Sequence, residues 1–190
     1  MGMRIARGVR LLIPVVQLHN VHTMKEKGFT LIELLLYVGI LAIIVLATSA
    51  FFVMVLQART KNGVILQVEQ EGLRIMDIMT QEVRNAESVT SPTVGASGSS
   101  LTLNVVDGAS NPTVFGVSSG TMTITQGANP VASLTSDLVT VSGVTFSNRS
   151  YASTPGIVQI VFTLSYNNDS GRNEYSYQKT FTGSAALRNY

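Results

Sequence analysis

Cysteine and tryptophan are absent from this 190-residue chain, and its only histidines are His19 and His22. Both precede Gly28, so no imidazole and no thiol follows that residue. The rest of the chain therefore cannot use histidine-assisted nucleophilic catalysis or a zinc site built from histidine or cysteine. Composition leaves room for a carboxylate enzyme or a calcium site. The lack of cysteine does not decide the cellular compartment, because disulfides are optional outside the cytosol.

Charged residues are few and unevenly distributed. Residues 1–28 carry five Lys/Arg and one Glu, a balance of +4, whereas residues 29–190 carry eight Lys/Arg and ten Asp/Glu, a balance of −2. A nucleic-acid-binding surface needs basic residues clustered on one face. The charge distribution therefore gives no clear indication of nucleic-acid binding.

An apolar run without charged residues covers residues 34–56. As a helix, its 23 residues would span roughly 34 Å, enough for a bilayer core of about 30 Å. The run contains Gly39 and no proline. We therefore predict a single membrane-spanning helix. A secretory signal peptide cleaved near the small residues 46–50 is the alternative.

The basic residues beside the span predict its orientation only weakly. Lys25 and Lys27 before the run nearly balance Arg59 and Lys61 after it. Three further arginines favour a cytoplasmic N-terminus and an external head if the first 23 residues are translated: Arg4, Arg7 and Arg10.

One carboxylate, Glu33, directly precedes the apolar run. An intramembrane acid usually has a functional partner, although hydration at the headgroup level would also explain it. Residues 27–33 read KGFTLIE, and they follow a short basic stretch. This arrangement of Gly-Phe, Thr, two aliphatic residues, Glu and an apolar run resembles the processing site of type IV prepilins and type II secretion pseudopilins.

The resemblance implies that a prepilin peptidase/methyltransferase cleaves between Gly28 and Phe29 and N-methylates Phe29. Glu33 would then be the fifth mature residue. Its carboxylate would pair with the Phe29 amine of a neighbouring subunit, or of its own chain, since a buried amine and a buried carboxylate are tolerable only together. Thr30 would add a local hydrogen bond or be a tolerated small residue at the helix start.

The same resemblance implies a set of partners and a leader. The partners are the peptidase, other pilins or pseudopilins, membrane lipid, and an inner-membrane assembly platform with its ATPase. The chain has no phosphate-binding loop of its own. The leader is residues 1–28. Residues 1–23 are compatible with a start codon assigned too early, because Met24 opens a compact leader, or with a long leader.

Residues 29–56 are predicted to be the transmembrane and filament-core helix, and residues 57–87 its amphipathic continuation. An apolar stripe with helical spacing supports the continuation: Ile65, Val68, Gly72, Ile75, Met79, Val83 and Ala86. Gly63 and Gly72 each weaken a helix by about 1 kcal/mol relative to alanine, which predicts a bend or local looseness.

Residues 88–190 are predicted to form a β-rich head, because short β-branched runs alternate there with turn signals. An antiparallel sheet packed on the amphipathic helix gives an α+β, pilin-like fold. The predicted strands are 100–106, 113–118, 121–126, 138–148, 156–167 and 174–183, the last two forming a hairpin. Residues 91–100 are predicted to be a mobile loop.

The hairpin turn at residues 167–174 offers a weak calcium-site candidate, since some pseudopilins hold calcium near this end. Its oxygen ligands would be Asn167, Asn168, Asp169 and Glu174. Calcium sites usually gather more carboxylates than these two, so a polar hairpin turn is the preferred interpretation, with no metal and no cofactor.

Residues 134–146, the long hairpin and the tail SAALRNY resemble minor pilins and the larger minor pseudopilins, whose subunits prime or cap filament assembly. The first alternative is a major, fibre-forming subunit. The second is a membrane-tethered β-domain that binds a surface, a sugar or DNA. An enzyme is not expected, because the remaining turn carboxylates, such as Asp107 and Asp137, have no aromatic sugar platform beside them.

Overall fold

The computed structural model describes residues 28–151 and 156–188. The described chain divides after Leu46 into two units. By residue number, one long helix, α1, contributes to both units, and all strands belong to the second. The predicted α+β architecture, one long N-terminal helix packed on antiparallel sheet, is confirmed.

The elements follow the chain in a simple order. Helix α1 covers Leu31–Asn85, and a short 3₁₀ turn covers Asn173–Tyr175. The strands are β1 (Ala86–Ser91), β2 (Ser97–Gly98), β3 (Leu101–Val105), β4 (Thr113–Ser118), β5 (Thr121–Gln126), β6 (Ala132–Ser133), β7 (Val139–Asn148), β8 (Ile157–Tyr166) and β9 (Gln178–Ala186).

The strands form two sheets where a single sheet was predicted. One sheet has the order β1-β3-β4-β5-β6 and the other the order β2-β7-β8-β9, and every pairing is antiparallel. Alternation along β3, β5 and β8 gives each of them one buried face, as in β8, where Val158, Ile160 and Phe162 are fully buried. Each sheet thus has an apolar face to bury. The sequence pattern predicted most of the individual strands, but it did not predict their division into two sheets.

The helix supplies one wall of the core. Val68, Ile75, Met79 and Val83 have no solvent exposure and pack with inward-facing strand residues. The predicted stripe is therefore right at these positions. It is wrong at its start, where Val64 is buried and Ile65 is only half-buried.

Strand β9 runs beside helix α1 in the same direction, an arrangement called here the α1–β9 seam. Lys61 Nζ donates to the carbonyl of Ser176, Lys179 Nζ lies 2.7 Å from Glu69 Oε1, and Phe181 lies against Gly72. Further contacts continue the same order along both elements, from Met76 beside Gly183 to the Arg188 N–H that donates to the Arg84 carbonyl. The seam fixes which part of the hairpin faces which turn of the helix.

Gly72 is the point of closest approach in the seam. A Cβ atom on Gly72 would lie 2.1 Å from Cζ of Phe181, far inside van der Waals contact. The Phe181 ring is itself stacked on Phe162 at 5.4 Å between centroids. Gly72 was predicted to loosen or bend the helix. The structure shows that it has a packing role, because the absence of a side chain leaves room for the Phe181 ring.

A second cluster attaches the crossover between the two sheets to the helix. The Glu71 carboxylate accepts hydrogen bonds from the backbone N–H and the hydroxyl of Ser136, and Arg74 Nη2 donates to the Leu134 carbonyl. Glu71 is buried although a helical wheel places it beside the apolar stripe. Periodicity treats such a carboxylate as solvent-facing, and only the tertiary fold reveals its partner.

The segment at residues 91–100, predicted to be a mobile loop, is mostly without regular structure, but specific contacts hold it. It contains β2, which pairs with β7. Asn148, buried at the end of β7, donates from Nδ2 to the Pro92 carbonyl, and its backbone exchanges hydrogen bonds with Gly95 and Ala96. Low apolar content concealed this order, because backbone and amide hydrogen bonds hold the segment.

The last strand begins later than predicted. The predicted strand 174–183 is replaced by the 3₁₀ turn and by β9, which starts at Gln178 and extends to Ala186. Lys61 Nζ donates to the carbonyls of Asn173 and Ser176, so residues 173–176 bond to the helix. The predicted pairing of this strand with β8 is confirmed.

We predict that Gly72→Ala destabilises the head. Alanine gains about 1 kcal/mol of helix propensity, but overpacking a stacked, buried ring costs about 1–3 kcal/mol. The net loss should be about 0–2 kcal/mol, measured by urea unfolding of the full chain in detergent with tyrosine near-ultraviolet circular dichroism. Gly63→Ala is the matched control, since nothing lies within 4 Å of its Cβ position. That control should gain stability, and a gain for Gly72→Ala as well would contradict the packing role.

Glu69 and Glu82, two carboxylates of α1, should change the stability of the fold with pH in opposite directions. The hydrogen bond from Lys179 and its charge lower the pKa of Glu69 below the ordinary 4.5, whereas burial raises the pKa of Glu82 above that value. Glu69 therefore stabilises the fold above pH 4.5, an effect lost as pH falls through its lowered pKa. Glu82 does the reverse, since folding weakens as pH rises through its raised pKa.

The matched variants are Glu69→Gln and Glu82→Gln, each unfolded in urea at pH 7 and at pH 3 as the full chain in detergent. At pH 7 the first should be less stable than the parent and the second more stable. At pH 3 both differences should be smaller than at pH 7, because protonation of either carboxylate removes the charge on which its effect depends. Equal shifts of the same sign for the two variants would contradict the assigned causes.

Candidate processing and assembly segment

The first turn of α1 is set by Thr30. The Leu34 N–H donates to the Thr30 carbonyl at 3.1 Å, and the Glu33 N–H donates to Thr30 Oγ1 at 3.3 Å. Threonine with glutamate three residues later is the sequence of a capping box. Thr30 is thus the N-cap of the helix, so the local hydrogen bond suggested for it is present.

Gly28 and Phe29 lie ahead of the helix, outside regular structure. The Phe29 side chain is 75% exposed, and its ring edge meets Tyr37 at 6.1 Å between centroids. Among the described residues, nothing lies within 4 Å of a Cβ placed on Gly28. Space in the described fold therefore does not require glycine at this position.

Glu33 is half-buried and stands in the first turn of α1. A carboxylate there is favoured by the positive end of the helix dipole. Glu33 therefore has a role within a single chain, at the helix start, in addition to the assembly role that the resemblance implies.

The apolar segment that follows is covered by nothing in the described chain. From Leu34 to Leu56 every large hydrophobic side chain except the half-buried Val55 is exposed, and the helix is long and apolar enough to cross a membrane. Such exposure in water would be strongly unfavourable, so this surface needs lipid or other helices. The predicted leader lies outside the described residues except for Gly28.

A comparison with protein-family models matched residues 23–49 to the prokaryotic N-terminal methylation motif. With its long apolar helix, the chain fits a type IV pilin or pseudopilin. Searches of curated proteins and of solved structures gave no match. The pilin-type motif implies processing by a prepilin peptidase and assembly with other pilins, and the apolar helix indicates a membrane-anchored, single-pass protein.

Asn167 and Glu174 of the calcium candidate are engaged in other contacts. Asn167 Oδ1 accepts a hydrogen bond from Thr140 Oγ1, and Asn167 Nδ2 donates to the Asp137 carbonyl. Glu174 forms an ion pair with Arg172, and Asp169 is exposed in the turn. Within the described ranges, no group of three or more His, Cys, Asp or Glu side chains could hold a metal. These contacts account for the loop as a polar turn.

Proposed function

We propose that this chain is a structural subunit of a type IV pilus or pseudopilus, and that it is a minor subunit that primes or caps assembly. The observation that carries the proposal is the motif at residues 23–49 joined to an exposed apolar helix. The N-terminus would be cytoplasmic and the head external. An assembly platform with its ATPase would then move the subunit from the membrane into the filament.

The accessible Gly28–Phe29 peptide supports cleavage at that bond. Because Thr30 caps α1, the helix start survives removal of everything before Phe29. The new Phe29 amine would lie one residue before the cap and four residues before Glu33. N-methylation keeps the amine protonatable, so it can still pair with a carboxylate.

Glu33 would then act between subunits. In a filament core, an unpaired carboxylate among apolar helices is strongly unfavourable, and pairing with an amine removes most of that penalty. The pair forms only when the incoming helix has one axial position, so it specifies register.

Processing can be tested directly on the full chain, expressed with and without a prepilin peptidase. We expect the intact mass and the N-terminal sequence to show a chain beginning at methylated Phe29 only when the peptidase is present. Gly28→Val should block cleavage while leaving the head unchanged, because the Cβ position is open. A chain that stays uncut, or is cut near residues 46–50, would overturn the proposal.

Incorporation can be tested by quantitative mass spectrometry of sheared filaments from a strain that encodes the assembly system. Glu33→Gln should lower incorporation by about tenfold or more, because breaking a buried ion pair costs about 3–5 kcal/mol. Glu87→Gln is the matched control, since Glu87 is exposed and bonded only to Asn104 among the contacts described. Parental incorporation of Glu33→Gln would contradict the register role, and copy numbers equal to those of the principal subunit would contradict a minor role.

A further inference from the structure

The α1–β9 seam determines which end of the head follows the apolar segment. Residues Ala47 to Leu56 belong to the same unit as the head. Five residues beyond Leu56, Lys61 contacts the turn between β8 and β9 through the carbonyls of Asn173 and Ser176. The β8–β9 end, defined as residues 166–177 with Lys61, is therefore the part of the seam nearest the apolar surface.

The distance along the helix places this end close to a lipid surface. A rise of about 1.5 Å per residue puts Lys61 about 7–8 Å beyond Leu56 along the axis. A headgroup layer is about 5–8 Å thick on each side of the hydrocarbon. If the hydrocarbon ends near Leu56, residues that contact Lys61 lie at the level of the headgroups.

Tyrosines are concentrated at the same end. Three of the six tyrosines of the chain lie there, and each is partly exposed: Tyr166, Tyr175 and Tyr177. Tyr166 and Tyr175 are stacked with centroids 6.1 Å apart. Lys61 Nζ and Arg172 Cζ each lie 5.8 Å from a ring centroid, of Tyr177 and Tyr175 respectively. Amphipathic rings of this kind favour the membrane–water interface.

Net charge does not explain an attraction to lipid. Lys179 pairs with Glu69, and Arg172 pairs with Glu174. Apart from these pairs, the charged groups of the β8–β9 end are one cation, Lys61, and one acid, Asp169. Since these charges cancel, contact with lipid would depend on the rings and would not require anionic headgroups.

We propose that the β8–β9 end docks on the lipid headgroup layer while the chain is anchored in the membrane. The head would then rest on the bilayer through its tyrosines in addition to being tethered by α1. The proposal rests on membrane anchoring by the apolar helix and goes beyond the processing and assembly roles.

The absence of cysteine allows a single label per chain. The test reconstitutes the full chain at one copy per phosphatidylcholine nanodisc, with a bimane fluorophore on Ser170→Cys in the exposed β8–β9 turn or on Ala109→Cys in the turn after β3. Residue 109 lies near Glu82 in the fold, since Asp107 and Ser110 share a groove with Glu82. We expect lipid carrying a headgroup nitroxide to quench label 170 several-fold more than label 109. Equal quenching would overturn the proposal.

Docking is separated from simple tethering by a tyrosine variant. Tyr175→Ser should lower quenching at label 170 roughly twofold or more, because interfacial tyrosines anchor protein to the headgroup level. Tyr151→Ser is the matched control, since Tyr151 is exposed and follows the opposite end of β7. Unchanged quenching in Tyr175→Ser would show proximity without docking and overturn the proposal.

Two further outcomes separate lipid docking from contact between subunits and from the pilin pathway. Quenching of label 170 that changes only when several chains share a nanodisc would identify a contact between subunits and overturn lipid docking. Peptidase cleavage is measured on the same nanodiscs, and its failure bears on the proposed function alone. Quenching at label 170 with failed cleavage would therefore support docking while overturning the pilin pathway.

Discussion

The seam between α1 and β9 is the contact on which the rest of the head depends. The seam combines an ion pair, a stacked aromatic ring and hydrogen bonds to backbone carbonyls. These contacts are spread over about six turns of helix, from Lys61 to Arg84. Because Gly72 lacks a side chain, the Phe181 ring reaches the helix backbone. The close approach positions β9. Because β9 pairs with β8, β8 with β7 and β7 with β2, it thereby positions the whole second sheet.

The helix meets two different requirements along its length. Between Leu34 and Leu56 its side chains are mostly apolar and exposed around the helix, which suits lipid or other helices. After Lys61 only one stripe is apolar, and polar contacts at Glu69 and Glu71 fix the rotation against the head. The head can therefore be specific while the anchor stays compatible with both a bilayer and a filament core.

Sequence patterns predicted those features that repeat or that combine several residue types. The apolar run, the KGFTLIE motif and most strands are of this kind, since alternation and turn residues are local signals. The ordered segment beside Asn148 and the partner of Glu71 depend on contacts between residues more than 50 positions apart. The division into two sheets depends on which strands pair, and the pattern within a strand does not specify its partner. Single polar residues such as Asn148 carry no periodic signal, so their roles become visible only in the fold.

For the residues predicted to act in assembly, the structure adds a local geometry at the start of α1. Thr30 and Glu33 were noted for assembly, yet they also form the cap of the helix. The two roles are compatible because they use different atoms. The Glu33 N–H is bonded to Thr30, which leaves the Glu33 carboxylate for an amine. A helix whose first turn is already capped holds the Glu33 backbone in place, so less backbone freedom has to be lost when a pair forms. The cap thus prepares the residue that would set the register.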